Sequence, residues 1–256
     1  MIVVPEDSAL LIITQPDHAH FSGELLSLWR ADGLPVHPRR DELIFAAREH
    51  DNGWREADAA PRWDAERGRP HDFLSLPRQE RIEIWERGTT RFAAERPYAA
   101  LLITRHALNL FRNRREEQGW AAFVGFLEDF ERGLLEETGV PREELEADYR
   151  LIDLVDQISL AACNDWREPV ARHGLRIEPR DGTVGLDPFP LAGTTSFRIA
   201  CRRIPKRVYR GDADLGGELV AVEWRERRVR IAGHGWGPPS ARSSDGAGAA
   251  GRRRPG

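Results

Sequence analysis

The chain has 256 residues, of which 31% are charged and 40% hydrophobic, and its formal net charge is −4. This length allows one large domain, or one domain with an appendage, and a sizeable core. The charge balance argues against a nucleic-acid binder that works by bulk electrostatics and against an acidic disordered chain. Cys163 and Cys201 form no CxxC motif, and no apolar stretch is long enough to cross a bilayer. We therefore expect a cytoplasmic protein with neither a nucleic-acid nor a membrane partner.

The predicted elements begin with a β-hairpin, because two short apolar runs at 2–4 and 9–14 flank a Pro-Glu-Asp-Ser turn. Helical periodicity then extends from about residue 17 to 165, interrupted by a polar loop at 53–75. Proline starts and glycine stops divide this region into six predicted helices, at 18–31, 41–51, 77–94, 97–112, 115–138 and 142–164.

The apolar period changes to two beyond residue 170, which is typical of strands. Strands are predicted at 197–202, 206–210, 218–224 and 228–232, and the N-terminal hairpin is a candidate to pair with them. The last 20 residues, 237–256, contain no large apolar side chain, and we expect them to be disordered. A G-x-G-x-x-G match in this tail lacks the preceding strand that a dinucleotide site requires.

The most informative segment is 45–54, where an apolar helix runs into adjacent His50 and Asp51 and is broken at Gly53. Consecutive side chains inside a helix point about 100° apart, but at a helix end both can turn toward one ion. Imidazole nitrogen and carboxylate oxygen suit Zn, Fe, Mn or Ni. A second such pair, at 71–72, lies in the polar loop and does not end an apolar helix.

Three further residues are candidate ligands. Asp156 lies on an apolar helical stripe, where a carboxylate is costly unless it is paired with an arginine or bound to a metal. His18 opens the first predicted helix, and either it or His20 could face inward. His106 lies on the amphipathic fourth helix, where a core or surface role and a ligand role are equally open.

The order His18, His50-Asp51, Asp156, with "AAREHD" at a helix end, resembles the HD-domain superfamily of metal-dependent phosphohydrolases. The segments "ITQPDHAHFSGELLSLW", "EHDNGW", "GRPHDF", "PYAALLITRH" and "LVDQISLAAC" look most like a bacterial branch of unknown function, over roughly residues 1–235. The resemblance implies a mainly α, HD-like helical bundle with a small antiparallel β-sheet from the N-terminal hairpin and the C-terminal strands, α+β overall.

The domain organisation that follows is a hairpin at 1–15, an HD-like metal-binding domain at 16–170, a β-rich extension at 171–236 and the tail. The resemblance implies one or two divalent transition-metal ions, which are Mn, Fe, Ni or Zn. The implied metal ligands are His18, His50, Asp51, His106 and Asp156, and His71 falls where two-metal members place a further histidine.

The implied activity is hydrolysis of a small phosphate ester or nucleotide by a metal-activated water. Asp51, His106 and Arg105 are the expected catalytic residues, with Arg105 or Arg48 near the phosphoryl oxygens. Because the chain has 37 arginines, a surface position is the favoured alternative for each. Two other functions stay open, which are a diiron oxygenase on the same scaffold and a non-catalytic, metal-stabilised module that binds a ligand. A homodimer also stays open.

Overall fold

The structure is a computed structural model and describes residues 1–164 and 166–233. The predicted disordered tail at 237–256 lies outside the described residues. The helices are α1 (Gln15–Ser27), α2 (Arg40–Glu49), α3 (Arg55–Ala59), α4 (Arg78–Thr90), α5 (Pro97–Phe111), α6 (Ala121–Thr138), α7 (Arg142–Cys163) and α8 (Asp212–Ala221). The strands are β1 (Ile2–Pro5), β2 (Ala9–Ile13), β3 (Trp63–Asp64), β4 (Arg69–Pro70), β5 (Val170–Arg172), β6 (Leu175–Arg180), β7 (Thr183–Asp187), β8 (Thr195–Pro205) and β9 (Arg225–Gly233).

The helical region follows the predicted periodicity, and all six predicted helices are present with shifted ends. α1 begins at Gln15 because Thr14 accepts a hydrogen bond from the backbone N–H of Asp17, and Pro16 occupies the first turn. The largest shift is at α6, which begins at Ala121 rather than at residue 115. None of the helices in the described ranges is long and apolar enough to cross a membrane.

The sheet is much larger than the sequence predicts, and the expectation of a mainly α bundle with a small antiparallel sheet is wrong. The chain is an α+β fold, about half helical, with a curled seven-stranded mixed sheet in the order β1-β2-β8-β9-β7-β6-β5. Neighbours pair antiparallel except β7 and β9, which are parallel. The three added strands, β5 to β7, are only three to six residues long and interrupted by charged residues, so their pattern alone does not separate them from loops.

Two of the predicted strands are also wrong. β8 ends at Pro205, so 206–210 is not a strand, and residues 212–221 form helix α8. Leu215 and Leu219 are buried four residues apart on one helical face, whereas Val220 is exposed, which is the spacing of a helix. The predicted strands at 197–202 and 228–232 are confirmed within β8 and β9.

One hydrophobic core joins the helices to the sheet. The hairpin β1–β2 pairs with β8 through β2, with Leu10 opposite Ile204, so the two ends of the described chain share the sheet. Phe21 of α1 packs edge-on against Phe197 of β8, with 5.1 Å between ring centroids. Helices α1, α2, α5 and α7 pack against one another on this support, and their buried polar residues meet inside the helical layer.

Candidate metal centre

The five residues predicted as metal ligands come together inside the helical layer. His18 lies on α1, His50 and Asp51 follow the last residue of α2, His106 lies on α5 and Asp156 on α7. All five side chains are buried. Two groups of three, His18–His50–Asp51 and His50–His106–Asp156, each place their ligand atoms within 4.8 Å of one another.

The local backbone at residues 50–54 explains how adjacent His50 and Asp51 can face one point. α2 ends at Glu49, His50 keeps helical dihedral angles, and Asp51 leaves them, with φ −107° and ψ 20°. The side-chain amide of Asn52 then donates to the carbonyl oxygens of Glu49 at 2.8 Å and of Gly88 at 2.9 Å. The turn is thereby tied both to the end of α2 and to α4, as expected where an apolar helix is broken after the His-Asp pair.

The spacing of the ligand atoms fits a transition metal. The Nε2 atoms of His18 and His50 are 3.1 Å apart. The His18 Nε2 atom lies 3.3 Å from carboxylate oxygens of both Asp51 and Asp156, and the His50 Nε2 atom lies 3.6 and 3.4 Å from the same two oxygens. Ligands bound at roughly 2.0–2.2 Å from one ion are about 2.8–3.6 Å apart in octahedral or tetrahedral arrangements. The observed distances fall in that range.

Hydrogen bonds on the far side of two rings determine which nitrogen faces the cluster. Ser159 donates its only hydroxyl proton to the His18 carbonyl at 2.9 Å, so at 2.7 Å it accepts from the Nδ1–H of that ring. The Nδ1–H of His50 donates to the carbonyl of Ala47 at 2.8 Å. In both rings Nδ1 therefore carries a proton and Nε2 faces the cluster, so each ring can offer its Nε2 lone pair to a metal once any proton there is displaced.

Burial and the contacts between histidines and aspartates shift the pKa values of several residues in the cluster. Burial disfavours the charged form of His18, but hydrogen bonds to Asp156 and Asp51 outweigh it and hold the pKa of His18 well above its ordinary value. Burial also disfavours charged His50, but the negative charge of Asp51 and a hydrogen bond to Asp156 outweigh it and raise the pKa of His50. Burial disfavours the charged carboxylate of Asp156, but His18 and His50 outweigh it and hold its pKa well below the ordinary value. Burial lowers the pKa of His106, which is therefore neutral.

The sequence left two roles open for a buried carboxylate on α7, which are binding a metal and pairing with an arginine. Asp156 is placed for the first role and Asp153 for the second. Asp156 faces His18 and His50, whereas Asp153, one turn earlier, pairs with an arginine. Arg172 binds Asp153 through two nitrogens, at 2.5 and 2.7 Å, and His173 adds a third contact at 2.6 Å.

The other predicted residues lie elsewhere. Arg105 contacts Glu131 and Glu146 rather than the cluster, and Arg48 is exposed on α2. His71 contacts Ser75 in the loop after β4 and is outside both ligand groups. Neither Arg105 nor Arg48, the arginines expected to bind phosphate, is therefore placed at the site.

Sequence reasoning missed Gln15. Its side-chain amide donates to Asp51 Oδ2 at 2.9 Å, and its backbone N–H donates to Asp58 at 2.6 Å. The side-chain carbonyl oxygen of Gln15 is buried and has no hydrogen-bond partner among the described residues. The signal that could have found it is its position three residues before His18, on the same face of α1.

A pocket of about 640 Å³, including its open mouth, leads to the cluster. His18, Asp51, His106 and Asp156 contribute to its lining. Its apolar walls include Trp54, Phe73, Leu74, Trp85, Phe111 and Leu160. Such a pocket, with polar groups converging on one side of apolar walls, is typical of a small-molecule site.

A family model described as a protein of unknown function (DUF3891) matches residues 1–206. The chain belongs to this family. The DUF3891 region contains all five clustered residues and every residue named above in the pocket lining. No curated protein and no solved structure matches the chain. The family description carries no activity, so the function has to be argued from the site.

Proposed function

We propose that the protein is a metal-dependent phosphohydrolase that cleaves a small phosphate ester, with one divalent transition metal held by His18, His50, Asp51 and Asp156. The observation that carries the proposal is the placement of these ligands beside a pocket, where a substrate can reach them. Imidazole and carboxylate ligands together suit Mn, Fe, Ni or Zn. Such an ion, when bound, polarises a phosphoryl oxygen and lowers the pKa of a coordinated water.

The chain's own residues fit the remaining tasks of the reaction. The side-chain amide of Gln15 donates a hydrogen bond to Asp51 and holds that carboxylate in place. His106, neutral and also in the pocket lining, can hold or accept a proton beside the cluster. The aromatic walls exclude bulk water, which strengthens electrostatic interactions inside the pocket.

A single ion is favoured over two because the ligand groups overlap. His50 belongs to both groups of three, so the two groups found among the described residues offer five ligand side chains in total. If each group held its own ion, the two ions would have to share His50, and one imidazole nitrogen carries one lone pair. Two irons per chain, with oxygen-dependent turnover, would replace this proposal by an oxygenase.

The test is the metal content of the purified full chain together with its activity on a panel of phosphate esters that includes 4-nitrophenyl phosphate. We expect about one Mn, Fe, Ni or Zn per chain, and the loss of both metal and hydrolysis in His50→Gln and Asp156→Asn. His71→Gln, a histidine outside the cluster, is the matched control and should keep both. The proposal fails if the metal-loaded protein cleaves no ester in the panel, or if His50→Gln retains full activity.

A further inference from the structure

Two arginines that the sequence did not single out line the same pocket. Arg81 lies on α4, and Arg114 lies on the short 3-10 turn that follows α5. The guanidinium carbon of Arg81 is 5.1 Å from the centroid of the Trp120 ring, and that of Arg114 is 5.2 Å from the same centroid. One indole ring therefore brings two cations together at the pocket wall.

The charge of this arginine pair is only partly balanced. Arg114 lies 3.6 Å from Glu117, and that carboxylate is the acidic group that acts on both arginines. The Nε atom of Arg81 is buried and has no hydrogen-bond partner among the residues that the structure describes. Burial and the neighbouring charge of Arg114 both lower the pKa of Arg81. An anion in the pocket would balance the remaining positive charge of the pair.

A row of aromatic rings separates the arginine pair from the candidate metal ligands. The ring of Trp85 lies 5.7 Å from that of His106 and 5.7 Å from that of Phe111. Phe111 in turn stacks on Trp120 at 5.0 Å. The rings of Trp85 and Phe111 therefore lie between the arginines and the candidate ligands, so the arginines face a different part of a bound molecule.

We infer that Arg81 and Arg114 form an anion subsite, and that the substrate is a phosphate ester carrying a second anionic group beyond an apolar or aromatic segment. This inference rests on the proposed function for the reacting phosphate, but the subsite itself does not need the metal. The second group is a carboxylate or a phosphate, since a guanidinium binds either in a two-point contact. The aromatic wall between the two sites favours a flat connecting segment.

The test uses non-hydrolysable probes and calorimetric titration of the full chain. The probes are biphenyl-4-phosphonate, with one anionic end, and its derivatives carrying a 4′-carboxylate or a 4′-phosphonate. We expect the wild-type protein to bind a two-ended probe at least about tenfold more tightly than the one-ended probe. The better of the two derivatives identifies the second group. Measurements with zinc-loaded and with metal-free protein separate the contribution of the metal from that of the arginines.

Arg81→Met and Arg114→Met should each remove most of this preference and leave binding of the one-ended probe unchanged. Arg112→Met is the matched control, because Arg112 is exposed on the same turn and outside the pocket lining. If Arg81→Met does not fold, Arg114→Met decides the question alone. The inference is overturned if the wild-type protein shows no preference, if the variants keep it, or if they weaken the one-ended probe equally. Hydrolysis without preference would refute the subsite alone, and preference without hydrolysis would refute the phosphohydrolase alone.

Discussion

Replacing Gly53 with alanine should disrupt the turn that presents His50 and Asp51. A Cβ atom at this position would lie 2.0 Å from the carbonyl oxygen of Ile84 and 3.0 Å from the backbone of Gly88. Ordinary contacts of this kind begin at 3.4 Å, so the turn and α4 would have to separate by about 1.4 Å. Neither obstacle is a side chain that can rotate away, because both are helix backbone.

The expected cost follows from that geometry. Overpacking a tight contact typically costs about 1–3 kcal/mol, and an immovable neighbour places Gly53→Ala at about 3 kcal/mol or more. For a chain of this size, that loss lowers the melting temperature by about 6–12 °C. Separation of the turn from α4 should also weaken metal binding, because His50 and Asp51 are part of the turn.

The matched control is Gly133→Ala, in the exposed middle of α6, where a Cβ atom would meet nothing within 4 Å. Alanine is the better helix former, so this variant should gain about 0.5–1 kcal/mol. Urea unfolding and zinc titration of both variants provide the measurement. A Gly53→Ala protein as stable as the wild type, with unchanged zinc affinity, would refute the close-approach argument.

Three further predictions concern the buried polar groups. Ser159→Ala removes the hydrogen-bond acceptor that fixes the tautomer of His18, and should weaken zinc binding about 10- to 100-fold in a competition titration. An unchanged zinc affinity would count against this role of Ser159. The raised pKa values of His18 and His50 stabilise the metal-free protein below about pH 6.5, and this contribution is lost as the pH rises through the folded-state pKa values. Zinc must displace the same protons, so its affinity should rise from about pH 6.5 until the pH passes the raised folded-state pKa values, by up to about tenfold per pH unit for each proton released. A flat profile would contradict the protonated histidines. Asp153→Ala removes the partner of Arg172, whose side chain is 40% exposed and can return to water, so the variant should lose about 1–2 kcal/mol in urea unfolding. A loss above about 3 kcal/mol would mean that Arg172 is left desolvated.

Much of the candidate site was predictable because its signals are local. The end of an apolar helix at Glu49, followed by His50 and Asp51, is visible in eight or so consecutive residues, and propensity acts over that range. Asp156 was recognisable because a carboxylate on an apolar stripe needs a partner. The identity of that partner was not recognisable, since His18 and Asp156 are far apart in sequence and meet only when α1 packs on α7.

The arginines that line the pocket, in contrast, could not be predicted from the sequence. The chain contains many arginines, and sequence position suggested Arg105 because it adjoins His106. On a helix, however, consecutive residues point in different directions, and Arg105 turns to Glu131 and Glu146. Arg81 and Arg114 carried no motif, because their relation to each other depends on Trp120, which directly precedes α6.

The sequence by itself determined six of the helices, the hairpin, two of the long strands and the set of candidate ligands. Each of these follows from periodicity, capping or the cost of burying charge, which operate within a few turns of chain. Only the tertiary structure decided the seven-stranded sheet, the roles of Gln15 and Ser159, and the arginines at the end of the aromatic wall. These features depend on packing and hydrogen bonds between residues that are distant in sequence. A local sequence pattern does not specify which distant residue a side chain will contact.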